Sequence, residues 1–424
     1  MRSQAPRASG ADRMSMNPLV SKAVRRHSLA WLVAANGVGV LLAALLIWPD
    51  LNDLLAPLTY GRWIPLHLNG HLYGWGALPL VGALFKFYLP EDASSAHGAR
   101  FALWVWSGAL LYGCLTWLAG HTSGKIFLDW QGGARWGWSF ALFFLWLILF
   151  RQARRPLSRS AQGLLGLLLL IPFLLYWVAG ATVYPAINPH SGGATGASLL
   201  GSTLGVVAMF GALPWLLRLE VKAGQRPWRI YLAAFALTSS VYAGIGHGAA
   251  SHHRPDQIIG LSCLLAWIPL VWSYARAFKW RPGSGRWLTA AFCWWVLLVI
   301  TGLLIFLPEI SERLKFTNAL VAHSHLAMAG LITSFHLVIL LNLAPARSPQ
   351  VWSFWAWQLG CLLQVALLFW LGWQEGLDPA ILYLRGGLTD WVYGLRLIIG
   401  LVMFVSSFVW LTDMGRTIDA DQNH

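Results

Sequence analysis

The chain is a succession of long apolar segments separated by short polar ones. Segments of about 20 residues with few charges, the length needed to cross about 30 Å of hydrocarbon, begin near residues 28, 67, 99, 133, 161, 195, 228, 257, 284, 316, 350 and 391. Their apolar residues form long runs instead of a one-sided helical stripe. The pattern predicts an all-α polytopic membrane protein, a bundle of twelve spans.

The composition supports this fold class. Of the 424 residues, 57% are hydrophobic and only 11% are charged, and a soluble protein of this length could not cover that composition with polar surface. The sequence shows no internal repeat and no linker between domains. We therefore expect a basic tail at residues 1–27, one membrane domain at 28–412 and a second tail at 413–424.

The net charge of +14 is explained by where the basic residues fall. With the N-terminus inside, only eight of the 30 Lys and Arg residues lie in the outer set of loops. This is the positive-inside pattern, so the basicity sets the orientation of the chain and indicates no nucleic-acid partner. Both termini are predicted to be cytoplasmic. Because no small-residue cleavage site follows its apolar run, we interpret the N-terminal segment as a disordered tail and not as a signal peptide.

The four cysteines all lie within predicted spans and show no pairing pattern. No C-x-x-C-H motif is present, so the chain has no site for covalently attached haem. We interpret the cysteines as small packing residues.

Polar side chains inside spans are costly and are candidates for function. Eight histidines fall in the outer half of the predicted bundle: His67, His121, His190, His247, His252, His253, His323 and His325. The segment "VAHSHLAMAG" carries two of them, two positions apart, and on a helix these rings point about 200° apart. Each could therefore serve a different cofactor, with the helix as a wall between the two.

A neutral imidazole is a common axial ligand of haem iron in a membrane. Two histidines on different helices make the iron six-coordinate, which suits electron transfer, whereas one histidine leaves a position open for a small gas. A single buried histidine is more often a hydrogen-bonded packing residue, and we assign His336 to that class. The presence of two histidines on one span strengthens the cofactor interpretation, because each polar ring inside the membrane needs its own binding partner.

These motifs resemble those of subunit I of the haem-copper oxidases, in particular the C-type, or cbb-type, cytochrome c oxidases. The stretch "GRWIPLHLNGHLYGWG" is similar to the second span of that family, and "AGHTSGKIFLDWQ" to its outer loop after span three. The H-x-H of "VAHSHLAMAG" matches span ten, and "VYGLRLIIG" resembles the last span. The resemblance covers nearly the whole chain.

The resemblance implies two haems and the residues that hold them. His323 would ligate a high-spin haem, while His325 would pair with His67, rather than His71, on a low-spin b-type haem. Electrons would pass from the low-spin to the high-spin haem, and Arg396 would pair with a haem propionate. The expected partners are c-type cytochrome subunits or other respiratory subunits in the bacterial inner membrane.

The chain departs from the family at the copper site, which the family builds from one histidine on span six and an adjacent pair on span seven. Span six has no histidine at the expected depth, and His247 is followed by Gly248. His247 is therefore the candidate for a residual copper or non-haem metal. His190, His252 and His253 leave two alternatives open, a displaced metal site at the outer rim or contacts with water and propionates.

Three functions compete. The first is a respiratory oxidoreductase resembling cytochrome c oxidase or nitric oxide reductase, with catalysis at His323 and His247 and electrons from a c-type cytochrome or a quinol. The second is a non-catalytic dihaem b subunit for electron transfer or gas binding, with a degenerate copper site. The third is a transporter without haem, but transporters of this length usually show related halves, which this sequence lacks. We favour the first.

Overall fold

A computed structural model of the protein describes residues 16–125, 127–153, 157–180, 196–247, 253–314, 316–382 and 387–415. The prediction of an all-α protein is confirmed, because the elements named within these ranges are helices. The long helices are α1 (Pro18–Ile47), α2 (Tyr60–Asn69), α3 (Leu78–Tyr88), α4 (Ala93–Leu118), α5 (Gly132–Gln152), α6 (Arg159–Val178), α7 (Gly196–Leu216), α8 (Pro227–Gly244), α9 (Pro255–Arg276), α10 (Gly285–Ile305), α11 (Asn318–His325), α12 (Thr333–Leu343), α13 (Val351–Leu377) and α14 (Leu388–Gly415). Short helices are Leu51–Leu54, Ile310–Leu314 and the 3₁₀ turn Pro379–Leu382.

Ten helical segments of the described chain are long and apolar enough to cross a bilayer. They are α1, α4, α5, α6, α7, α9, α10, the continuous segment Asn318–Leu343, α13 and α14. The segment Asn318–Leu343, which carries the H-x-H motif, is the most deeply buried of the ten. The burial is complete along Thr333–Leu343, whereas His323 and His325, nearer the start of the segment, are half-buried.

Ten segments are fewer than the twelve spans predicted, so the count of twelve stays a prediction. The second predicted span falls on α2 and α3, which a change of helical type divides into pieces of 10 and 11 residues. The seventh falls on α8, which has 18 residues and includes Arg229. Helix α1 already begins at Pro18, within the predicted tail, where the Asn17 side chain accepts a hydrogen bond from the Leu19 amide.

Two π-helical turns interrupt the helices that carry the candidate ligands. The first wide turn, Gly70–Gly76, joins α2 to α3, and the second wide turn, Leu326–Ile332, joins α11 to α12. Such turns hold one extra residue within an otherwise α-helical segment and are frequent at functional sites. Here each begins within three residues of a candidate haem ligand, His67 or His325.

The start of α11 is fixed to α13, and this fixes the depth of the H-x-H motif. The Glu375 carboxylate accepts hydrogen bonds from the backbone and side-chain amides of Asn318, at 2.8 and 3.0 Å. Gly372 lies so close to the backbone of Ala319 that a side chain at Gly372 would clash with it. This close approach lets α13 pack directly against α11.

Candidate functional site

One cavity of about 390 Å³ lies between α1, α2, α11, α13 and α14. Its volume falls in the range of ligand sites, about 300–1,000 Å³. Most of the lining is apolar, with residues such as Val40, Leu68 and Met403. The polar and charged residues of the wall include Asn36, Tyr60, His67, His71, Ser324, His325, Gln364 and Arg396. An apolar cavity with a few convergent imidazoles is suited to a large flat cofactor that contains a metal.

His67 lies on the wall formed by α2 and is held in place by α1. Its Nδ1 atom lies 2.8 Å from the carbonyl oxygen of Ala35. Because a carbonyl can only accept, Nδ1 carries the proton and donates it, and the lone pair of Nε2 is left free for a metal. Gly39, one turn further along α1, has no side chain and so leaves room for the ring.

His325 lines the same cavity from α11 and shows the same hydrogen-bonding pattern. Its Nδ1 atom donates to the carbonyl of Val321 at 2.8 Å, one helical turn earlier. The Nε2 lone pair of this ring is therefore free as well. The structure thus brings together, in one cavity, the two histidines that the family resemblance pairs, each in the tautomer that an axial ligand needs. Their ligation of haem stays a prediction.

Arg396 on α14 contributes the positive charge of the cavity wall. Its Nε atom is buried and has no hydrogen-bond partner within the described residues, and its guanidinium lies 5.8 Å from the centre of the Tyr393 ring. The residue also lines the cavity, so an anionic group there, such as a carboxylate of a porphyrin, would pair with its positive charge.

His71 also lines the cavity, although the sequence analysis preferred His67 to it. The two ring centroids are 4.8 Å apart and the ring planes are nearly perpendicular, at 84°. Spacing of four residues places two side chains on one helical face, and this signal was present in the sequence. Gln364 was missed too, because a lone amide on an apolar span resembles an ordinary packing residue.

His323 points to a different environment from His325. Its Nδ1 atom lies 3.1 Å from the Thr301 hydroxyl on α10, and that hydroxyl lies 2.8 Å from the carbonyl of Leu297. Since the single hydroxyl proton is donated to Leu297, the oxygen accepts from Nδ1 of His323, and the Nε2 lone pair is left free. His323 is not among the residues that line the cavity described above. The prediction that the two rings serve different sites agrees with this arrangement.

His247 is exposed at the end of α8. Its Nε2 atom bonds to the carbonyl of Tyr242 at 2.9 Å, and its ring packs edge-on against the Tyr242 ring. Nε2 is therefore occupied, and a metal would have to use Nδ1. The role of His247 in metal binding stays a prediction.

A wider metal site cannot be assembled from the part of the chain that the structure describes. No group of three or more His, Cys, Asp or Glu side chains there is arranged to hold a metal ion. His253 is exposed, and its Nε2 atom lies within hydrogen-bonding distance of the Glu312 carboxylate, at 3.1 Å. His190 and His252, which the sequence analysis named as possible outer ligands, lie outside the described residues.

The loop before α5 covers the cavity next to α2. Phe127 lines the cavity, and its carbonyl accepts a hydrogen bond from the Tyr73 hydroxyl at 2.5 Å. Asp129 holds the loop together, because one carboxylate oxygen accepts from both the amide and the hydroxyl of Ser123. Burial raises the pKa of Asp129, and these hydrogen bonds only partly oppose that rise.

Comparison with known proteins adds an independent observation. No protein-family model matches the chain. The sequence is 22% identical, over 454 aligned positions, to the Cbb3-type cytochrome c oxidase subunit CcoN1 of Stutzerimonas stutzeri, and the alignment covers 94% of this chain and 95% of that protein. The likeness supports a relationship to subunit I of the haem-copper oxidases. Together with the ten apolar helices, it also supports a multi-pass membrane protein.

Proposed function

We propose that the protein is a haem-binding, subunit I-like component of a bacterial respiratory complex in the inner membrane. His67 and His325 hold a low-spin b-type haem, and His323 holds a high-spin haem. The proposed activity is transfer of electrons between the two haems for reduction of oxygen or nitric oxide. Partner subunits with c-type haem supply the electrons, because this chain has no site for covalent haem.

The observation that carries this proposal is the shared cavity of His67 and His325. Both rings donate Nδ1–H to a backbone carbonyl, which fixes their orientation and leaves Nε2 free. Two such imidazoles from different helices make an iron six-coordinate. The cavity between them is apolar and has one cation, Arg396, for a propionate. When bound, the haems supply one-electron transfer and, at an open iron, the binding and reduction of a small gas.

The residues around the proposed haems have separate tasks. Ala35, Val321 and Thr301 accept the Nδ1 protons and so set the tautomers of the three histidines. Arg396 compensates negative charge in the cavity, and Phe127 forms part of the cavity wall on the loop side.

A second candidate is a non-catalytic dihaem b subunit for electron transfer or gas binding. It is favoured by the environment of His247, which is exposed and bonded to Tyr242, and by the lack of a three-residue metal cluster within the described ranges. Copper or non-haem iron at about one atom per chain, with turnover of oxygen or nitric oxide, would exclude this candidate. Protein that binds haem but contains neither metal and shows no turnover of oxygen or nitric oxide would favour the non-catalytic candidate.

The first test is His325→Ala in the full chain, purified in detergent with its haem. We expect loss of the low-spin b-type absorption band and of the corresponding electron paramagnetic resonance signal. His336→Ala is the matched control, because His336 is a buried histidine on the same span that lies outside the cavity wall. An unchanged visible spectrum in His325→Ala, or wild-type protein that binds no haem, would contradict the proposal.

A further inference from the structure

The cavity contains one more imidazole than a six-coordinate haem requires. His71 lies in the first wide turn, four residues after His67, and lines the same cavity. The two rings are in contact, with centroids 4.8 Å apart. They therefore approach any group in the cavity from the same side, while His325 approaches it from another helix.

The two neighbouring rings differ in how they are held. His67 is fixed by the hydrogen bond from Nδ1 to the Ala35 carbonyl. Among the residues that the structure describes, no group forms a hydrogen bond to the His71 ring, and neither of its nitrogens is sealed away from the cavity. Within the described residues no hydrogen bond fixes the tautomer of His71, so either ring nitrogen can carry the lone pair.

The spacing of the pair is one that brings two imidazoles to the same metal. Histidines at positions i and i+4 of a helix lie on one face and recur as paired metal ligands. Here, however, the three cavity histidines do not form a cluster that could hold a single ion by themselves. A haem iron takes one axial ligand from each side, so His67 and His71 would be alternatives for one position.

We propose that His71 is an alternate axial ligand of the low-spin haem, on the same side as His67. This inference rests on the proposed function, in which a haem iron lies between His67 and His325. His71 would hold the haem through a neutral imidazole nitrogen in place of His67, so the replacement would need no proton or electron.

His71 lies in the first wide turn, beyond the last residue of α2. A π-helical turn is wider than an α-helical one and holds an extra residue. His71 needs to give up no hydrogen bond to the described protein in order to reach the iron. His67, in contrast, is held by its hydrogen bond to the carbonyl of Ala35.

The test compares three variants of the full chain loaded with protohaem: His67→Ala, His71→Ala and the double variant. Low-spin haem is measured by electron paramagnetic resonance and by the visible absorption of the reduced protein. We expect both single variants to keep most of the low-spin signal and the double variant to lose it more than tenfold. If His67→Ala loses the signal as completely as the double variant, His71 is not an alternate ligand.

A matched control and a volume-conserving variant separate ligation from packing. His67→Ala combined with Leu68→Ala removes a second cavity-lining side chain but leaves His71, and it should stay low-spin. His67→Met fills the vacated space with a weaker ligand. We expect the resonance signal of two imidazoles in that variant, and a thioether-to-iron charge-transfer band would overturn the inference.

The outcomes also distinguish this inference from the proposed function. Wild-type protein without a low-spin signal would refute the proposed haem site as a whole. A normal wild-type signal that disappears in His67→Ala and is restored there by added imidazole would leave the haem site intact. That result would refute only the role of His71.

Discussion

The Nδ1 atom of His67 on α2 lies 2.8 Å from the carbonyl oxygen of Ala35 on α1. The acceptor belongs to the backbone of another helix, so the orientation of the proposed ligand depends on how α1 packs against α2. Outer partners of this kind fix the tautomer and direction of a metal-binding imidazole. Small changes on α1 should therefore be visible in the spectrum of the haem.

Gly39→Ala tests this dependence. A Cβ atom at position 39 would lie 2.7 Å from Cε1 of His67, which is too short for two carbon atoms, so the ring has to move. We expect a shifted low-spin resonance signal and haem affinity lower by roughly 10–100-fold, the usual effect of disturbing such a partner.

Gly61→Ala is the control, since a Cβ atom at Gly61 meets nothing within 4 Å. It lies on the same helix as His67 and should leave both the signal and the affinity unchanged. If Gly39→Ala and Gly61→Ala had equal effects, the effect of Gly39→Ala would reflect a general loss of protein stability and not a displacement of the His67 ring.

Thr301→Val tests the environment of His323. Valine keeps the shape of threonine but removes the hydroxyl oxygen that lies 3.1 Å from Nδ1 of His323. The imidazole then loses its acceptor, and its bond to iron should weaken. We expect a lower iron–histidine stretching frequency in the resonance Raman spectrum of the high-spin haem, whereas Thr301→Ser should keep the wild-type frequency. An unchanged frequency in Thr301→Val would contradict the assignment of His323.

Arg396→Gln tests the charge in the cavity. A cation near the haem favours the reduced form, which carries one more electron, so its removal should make reduction harder. We expect the midpoint potential of the low-spin haem to fall by a few tens of millivolts in a spectroelectrochemical titration. Arg62→Gln is the control, because the Arg62 guanidinium binds the carbonyl of Leu118 and is not part of the cavity wall. A rise in potential would refute the proposed placement of Arg396.

Asp129→Asn tests the loop over the cavity. Burial raises the pKa of Asp129 in the folded protein. A carboxyl with a raised pKa destabilises the fold above its folded pKa, and this effect disappears as the pH falls below its unfolded pKa, about 3.9. The variant should therefore melt at a higher temperature than wild type at pH 7, and the difference should shrink toward pH 4.

Asp129→Ala provides the comparison for this loop. It removes the acceptor of the Ser123 amide as well as the charge, and an unpaired buried donor costs about 1–3 kcal/mol. We expect it to be less stable than Asp129→Asn at pH 7. A difference between Asp129→Asn and wild type that does not change with pH would contradict the account based on pKa.

The sequence was sufficient for those features that depend on segment length and helical geometry. Apolar runs of about 20 residues predicted most of the long helices, since only such runs match a bilayer. The spacing of His323 and His325 predicted two different environments, and the structure places His325 against the cavity and His323 against Thr301. The pairing of His67 with His325 is predicted only by the family resemblance. A contact between two helices produces no periodic pattern in the sequence from which it could be predicted.

Other features depend on tertiary packing and could not be predicted in this way. Nothing in the local sequence distinguishes the wide turn at Gly70–Gly76 from an α-helix, and this turn divides the second predicted span. The exposure of His247 depends on where α8 ends relative to its neighbours. The contact of His71 with His67 follows from their spacing of four residues, which places both rings on one helical face.

The two wide turns also bear on how this chain should be aligned with its relatives. Each holds one residue more than an α-helix of the same rise would need, so a single-residue insertion or deletion there changes the turn and spares the helices on either side. Length differences among distant homologues should therefore concentrate at Gly70–Gly76 and Leu326–Ile332. An alignment that forbids gaps inside helices would shift the helix on one side of the turn out of register. The histidines would then be aligned with residues of the relatives that are not equivalent to them.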